Sequence, residues 1–190
     1  GKPARMVEVA EDDAKAWKML QLLTTKPVLY VCNVDEASAA TGNDLSARVE
    51  EMAKAQGAAS VVISAAIEEE ISQLPAEDAA VFLGEMRLEE AGLDRLIRAG
   101  YDLLALETYF TVGPKEARAW TIRHGTAAPQ AAGVIHGDFE RGFIRAETIA
   151  YEDYVTLGGE VAAKDAGKMR VEGKSYIVKD GDVLHFLFNA

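Results

Sequence analysis

The 190-residue chain is 49% hydrophobic and carries 20 basic against 31 acidic side chains, a formal charge of −11, a composition that supports one large or two small cored domains and argues against disorder. The charge is uneven: residues 1–102 hold 10 basic and 19 acidic groups and residues 103–190 hold 10 and 12, so the first part repels nucleic acid and anionic lipid while the second can carry a local basic patch. The single cysteine, Cys32, excludes an internal disulfide and a cysteine-rich metal site and points to the cytosol, and no run reaches the roughly 18 apolar residues of a membrane span.

In chain order, Glu11 to Thr24 places Trp17, Leu20 and Thr24, with Met19, Leu22 and Leu23 beside them, at helical spacing behind an acidic start. Pro27 ends that register and opens an apolar run through Cys32, a predicted buried strand that stops on Asn33-Val34-Asp35-Glu36. A loop leads to Asn43, the expected cap of a helix through Gln56 with Leu45, Val49, Met52 and Gln56 on one stripe and Gly57 at the stop. A second strand over Ala59 to Ser64, followed by Ala65-Ala66, lies parallel to the first through a right-handed crossover, half of a doubly wound sheet. Ligands sit outside the carboxyl ends of strands in such sheets, so Asn33 and Glu36 are the first binding candidates, and Ser64 to Ala66 face the same ligand. Glu68, Glu69 and Glu70 read as a solvated helical turn, with Ile67, Ile71 and Leu74 turned inward, and helices from Pro75 and over Gly92 to Leu103 seal the sheet.

From Leu104 the periodicity changes to strands. Leu106 to Val112 and Ala117 to Ile122 form a hairpin around Gly113-Pro114-Lys115. A helix over Pro129 to Phe139, a strand over Ile144 to Ala150, a short helix over Glu160 to Asp165, and strands over Ser175 to Val178 and Val183 to Phe188 complete the pattern. That order describes a β-grasp. Its expected core includes Phe110, Trp120, Ile122, Ile135, Phe139, Ile149, Ile177, Val183, Phe186 and Phe188.

Asn-x-x-Glu after a strand, Ser-Ala-Ala after the next, and above all the run His136-Gly137-Asp138-Phe139-Glu140-Arg141-Gly142-Phe143-Ile144-Arg145-Ala146-Glu147-Thr148-Ile149-Ala150-Tyr151-Glu152-Asp153 resemble the YchF branch of the Obg-like P-loop NTPases, over essentially the whole chain. The resemblance implies an α/β fold in two parts. Residues 1–102 would be the end of a helical insertion and a partial doubly wound sheet, the NTPase half without its P-loop; residues 103–190 would be a β-grasp TGS domain. It also implies a preference for ATP over GTP, with Asn33 and the Val34 backbone near the base and Ser64, Ala65 and Ala66 lining its other side. Mg2+ is expected only in a parent that supplies the missing N-terminal NTPase half. The ribosome or RNA is the implied partner of the TGS domain, in the cytoplasm, with no membrane association.

No Gly-x-x-x-x-Gly-Lys-Ser/Thr occurs, and no strand-ending Asp-x-x-Gly, so the phosphate cradle and its lysine are absent and hydrolysis by these residues alone is not expected. GTPases place an aspartate where Glu36 stands, and the extra methylene moves the carboxylate, at about 1–3 kcal/mol or roughly fivefold to 150-fold in guanine affinity. His124, His136 and His185 lack metal-ligand spacing, Cys32 lacks an activating neighbour and Ser64 lacks a triad, so no catalytic or metal-binding residue is expected. For phosphate contact, Arg141, Arg145, Lys168, Arg170 and Lys174 are the candidate cations. The competing function is a stand-alone β-grasp module that binds protein or RNA, with the partial sheet as scaffold.

Overall fold

Backbone pairing divides the chain in two. The computed structural model describes residues 1–189, a mixed α/β structure with a two-stranded and a five-stranded sheet, and it separates into one compact unit over Gly1–Leu104 and another from Ala105 onward.

In the first unit, the helix expected over Glu11 to Thr24 is only α1 (Ala14–Met19), with single 3-10 turns at Glu11–Asp13 and Leu23–Thr25. Gln21 adopts a positive φ of 47° that breaks the register, none of α1 is buried, and six residues are too few for a helix to stand on its own. What ties the N-terminal segment down is polar. The Arg5 guanidinium donates to the Gln56 backbone carbonyl at 3.0 Å and to its side-chain oxygen at 3.3 Å, and the Tyr30 hydroxyl donates to that same oxygen at 3.2 Å.

Strands β1 (Leu29–Asn33) and β2 (Ala59–Ile63) pair in parallel from Leu29↔Ala59 to Asn33↔Ile63. Helix α2 (Asp44–Ala55) connects them and starts on a reciprocal cap: Asn43 Oδ1 accepts from the Leu45 and Ser46 N–H groups while Ser46 Oγ accepts from the Asn43 N–H. Its buried side chains are Ser46 and Ala53, so the inward stripe is rotated from the one expected and Leu45 and Met52 are exposed. β1 is likewise not the buried strand its apolar run suggested, because a two-stranded sheet leaves one edge open and Val31 stays 45% exposed. Helices α3 (Ala65–Ser72) and α4 (Ala76–Glu85) pack Ile67, Ile71, Phe82, Leu83 and Met86 with Ala39 and Leu88, and α5 (Gly92–Leu104) packs on both strands.

The second unit is a sheet of order β4-β3-β7-β5-β6, made of β3 (Leu106–Val112), β4 (Ala117–Arg123), β5 (Phe143–Ala150), β6 (Arg170–Glu172) and β7 (Asp182–Phe188). β3 runs parallel to β7 and the other neighbours are antiparallel. Helix α6 (Ala128–Ile135) presents Ala128, Ala131 and Ala132, all fully buried, and these small side chains let it approach the sheet closely. Tyr109 fills the contact: its ring stacks beside Trp120, meets Phe186 edge-on, and its hydroxyl donates to the Ala131 carbonyl at 2.8 Å. Burial pushes the Tyr109 pKa well above the usual tyrosine range, so the hydroxyl remains a donor.

Four sequence expectations change here. The helix over Pro129 to Phe139 is two, α6 and α7 (Gly137–Arg141), broken at His136, whose extended backbone and Nδ1, accepting from the Asp138 N–H at 3.2 Å, start α7. Helix α8 (Tyr151–Leu157), absent from the expectation, follows β5 directly and ends at Gly158 with φ 84°, and α9 (Glu160–Asp165) comes after it. Residues 175–178 make only an isolated bridge, Ala127↔Ile177, and it is Val178 that is buried while Ile177 is 47% exposed; with a side-chain period of two, a one-residue slip exchanges the faces. The three-residue β6 was not expected at all.

Gly142, just before β5, holds the backbone just after β7, because Asn189 N–H donates to the Gly142 carbonyl at 2.9 Å and a Cβ on Gly142 would run into the Asn189 backbone. Gly142→Ala should therefore lower stability by about 1–3 kcal/mol, read as a shift in urea midpoint. Gly173→Ala, at an exposed site with nothing within 4 Å of its Cβ position, should change it by about 0.5 kcal/mol or less.

Candidate functional site

Parallel pairing delivers two loops to one end of the first sheet. Asn33 stands opposite Ile63, so Val34 and Ser64 leave their strands side by side, and the Val34 N–H extends the ladder by donating to the Ile63 carbonyl at 2.9 Å. Asn33 then crosses the gap: its Oδ1 accepts from the Ala65 N–H at 2.9 Å. A bond of this kind contributes about 0.5–1.5 kcal/mol, and it fixes the spacing of two loops 32 residues apart in sequence. The carboxamide NH2 of Asn33 makes no hydrogen bond among the described residues.

Ser64 occupies the N-cap position of α3 in an extended conformation but makes no capping bond. Its side chain is 2% exposed and its Oγ has no partner among the described residues. An unsatisfied buried hydroxyl costs about 1–3 kcal/mol. Ala65 and Ala66 are exposed in the first turn of α3. On the other loop, Asp35 closes the 3-10 turn Glu36–Ser38 by accepting from the Ser38 N–H at 2.9 Å. That leaves Glu36 exposed and without a hydrogen bond or ion pair among the described residues. Bonds thus bring Asn33, Val34, Ser64 and Ala65 together, with Glu36 and Ala66 one or two positions along the same loops. An open groove of about 280 Å³ between β1 and α2 is lined by Asn33 and Val34 with Tyr30, Cys32 and Ser46, and not by Glu36, Ser64, Ala65 or Ala66.

One supporting residue escaped the sequence. Glu68 is not simply part of a solvated run, because its carboxylate accepts from the Gly92 N–H at 2.6 Å and the Leu93 N–H at 3.0 Å. It serves as a cap supplied from α3 to the first turn of α5. Gly92 is held so closely that a Cβ there would lie 2.8 Å from the Glu68 carboxylate and 3.2 Å from the Ile63 side chain. The signal was indirect: Ala91, at the start of α5, cannot cap it, so the orphan donors needed an acceptor from elsewhere.

In the second unit, four of the five candidate cations stand beside carboxylates. Arg141 pairs with Asp138, Arg145 lies 3.9 Å from Glu147, Lys168 lies 3.1 Å from Asp153, and Arg170 reaches Glu172 at 3.1 Å and the buried Asp182 at 3.5 Å. Lys174 is exposed and has no ion pair among the described residues. Asp182 also accepts from the Tyr176 hydroxyl at 2.7 Å, and burial together with that bond pushes the Tyr176 pKa up to about 12. His124 Nδ1 contacts the buried Glu107 at 3.0 Å. No group of three or more histidine, cysteine or acidic side chains is placed to hold a metal among the described residues.

Residues 106–189 match the family YchF-GTPase_C, described as "Protein of unknown function (DUF933)". The chain is 54% identical over 190 residues to the "Ribosome-binding ATPase YchF" of Bacillus subtilis (strain 168), covering 99% of this chain and 52% of that protein. It is 52% identical over 185 residues to the protein of the same name in Escherichia coli O157:H7, covering 97% and 51%. Among solved structures it resembles that of the Schizosaccharomyces pombe YchF GTPase, with a TM-score of 0.80 and 34% identity over 98% of this chain and 50% of that one. The chain spans about half the length of the curated relatives it matches.

The cap on α5 gives a direct test. Glu68→Ala should destabilise the protein by about 1.5–3 kcal/mol through loss of charge-assisted bonds, while Glu69→Ala and Glu70→Ala, at exposed positions, should each change it by about 0.5 kcal/mol or less in urea unfolding.

Proposed function

The chain belongs to the YchF-type (Obg-like) family, and from that membership we propose that its first unit is the base-binding half of a nucleotide-binding ATPase whose second unit meets the ribosome. The observation that carries this reading is the Asn33 Oδ1 to Ala65 N–H bond. It sets one loop against the other and leaves two exposed groups for a base, the Asn33 NH2 and the Glu36 carboxylate, with Ser64 buried behind them. Adenine and guanine differ in what they offer such a set. Guanine presents N1 and N2 hydrogens to a carboxylate one carbon from the backbone, whereas a glutamate holds its oxygens farther out. Glu36 therefore favours ATP over GTP, and Val34, Ala65 and Ala66 supply backbone and small apolar contact.

Phosphate chemistry falls outside these residues, since the chain has neither the glycine-rich cradle nor its lysine. Mg2+ and hydrolysis then depend on a P-loop half. We place the start of a β-grasp, TGS-type second domain at about residue 103, close to the division between Leu104 and Ala105, and the mixed five-stranded sheet with α6 across it supports that reading. The relatives' name supports ribosome association, and with it a cytoplasmic setting, and we assign that contact to the second unit.

Measurements on the chain alone and on one fusion test the proposal. The 190-residue chain alone should release no phosphate from ATP above background; joined to the P-loop half of the Bacillus subtilis relative, it should prefer ATP. Glu36→Asp in that fusion should shift the ATP-to-GTP affinity ratio towards GTP by roughly fivefold to 150-fold. An unchanged ratio would remove Glu36 from base selection.

A further inference from the structure

The loop at the carboxyl end of β2 has little of its own to hold it in place. Ser64 stands at the N-cap position of α3 without a capping bond, and Ala65 and Ala66 are small and exposed. On the β1 side, the bond from the Ala65 N–H to Asn33 Oδ1 fixes it. On the other side the first anchor is Ile67, 1% exposed and packed with Ala39 and Leu88. Burial of an apolar side chain is non-directional, so Ile67 sets the depth of α3 and leaves its orientation about that point open.

Glu68 supplies the missing direction. Its own N–H donates to the Ser64 carbonyl at 3.1 Å, while its carboxylate accepts from the Gly92 and Leu93 N–H groups at 2.6 and 3.0 Å. Gly92 in turn sits directly on β2, since a Cβ there would lie 3.2 Å from the Ile63 side chain. The stretch from Ile63 to Glu68 is thereby closed into a ring through Gly92, and Ser64, Ala65 and Ala66 lie within it. α5 is a firm base for this clasp: Glu90, just before the helix, is held by both guanidinium NH2 groups of Arg98, at 2.8 and 2.7 Å, and the helix packs on β1 and β2. Glu69 and Glu70, next in sequence, are exposed and take no part in it.

We infer that Glu68 is a positioning residue for the nucleotide base, an inference that rests on the base-site reading above: by clasping α5 it holds the Ser64–Ala66 loop at the spacing from which the Ala65 N–H meets Asn33. It touches no ligand and acts through that loop. A hydrogen bond weakens steeply as it departs from linear geometry. Released from α5, the first turn of α3 shifts about Ile67 and carries the Ala65 N–H away from Asn33 Oδ1. The order that the clasp provided in advance then becomes a cost of binding.

The test compares the 190-residue chain with its Glu68→Ala variant. Without ligand, amide hydrogen exchange at Ala65 should speed up at least about tenfold more than at Ala59, whose N–H donates to the Val28 carbonyl at 3.0 Å at the far end of the same sheet. In 15N titrations under conditions where the variant is folded, ATP affinity should weaken at least about threefold. Ala53→Gly, at a buried site in α2, lowers the urea midpoint without touching the clasp and should leave ATP affinity within about twofold of the unaltered chain. If Glu68→Ala does not fold, Glu68→Gln, which keeps the side-chain length and one acceptor oxygen, decides by the same two readings in the same direction. Exchange at Ala65 that rises no more than at Ala59 overturns the inference whether or not ATP binds, and so does an equal loss of ATP affinity in the Glu68 and Ala53 variants. Absence of ATP shifts in the unaltered chain refutes the base site, and this inference with it.

Discussion

A single hydrogen bond organises the first unit: the side-chain oxygen of Asn33, at the end of β1, holds the backbone N–H of Ala65, at the start of α3. Parallel pairing alone would bring the two strand ends level, but the loops beyond them would be free to part. With Asn33 bonded across and Val34 N–H donating to Ile63, the spacing between loops is set before any ligand arrives. This is preorganisation of the kind that reduces the ordering cost of binding. The same end of the sheet is supported from below by Glu68, which caps α5 and confines Gly92 against Ile63. Polar side chains hold both loops at one place, and the Ser64 hydroxyl is the group left unsatisfied.

The second unit is held together differently. Its core is a helix of small residues laid on an aromatic surface, with Tyr109, Phe143 and Phe186 opposite Ala128, Ala131 and Ala132. Dispersion and area burial dominate there. Four of its cations, Arg141, Arg145, Lys168 and Arg170, each stand beside a carboxylate.

The parts of the fold legible in the sequence are those with local signals. Asn43 and Ser46 announce the start of α2, Gly113-Pro114 announces the hairpin, and the polar residues after two apolar runs mark the strand ends that meet. What could not be read depends on distant partners. Tyr151–Leu157 carries strand-forming residues and becomes α8 because the sheet ends at Ala150; its acidic first turn and Gly158-Gly159 stop were the available hints. Ile177 and Val178 are equivalent to a pattern, and only the bond from Val178 N–H to the Thr126 carbonyl selects which one is buried. Glu68 resembles Glu69 and Glu70 until α5 lies beside it. The family resemblance supplied the base-site residues as a set; the geometry adds how Asn33 and Asp35 position that set.

The claim that the two strapped loops form a base site is tested most directly by 15N amide spectra of the 190-residue chain titrated with ATP, and separately with GTP. The expected result is a concentration-dependent shift confined to Asn33 through Glu36 and Ser64 through Ala66, larger for ATP, and lost in Asn33→Ala. Shifts spread over the acidic surface, or no shift at millimolar ATP (about the weakest affinity that counts as specific here, near 4 kcal/mol), would contradict it.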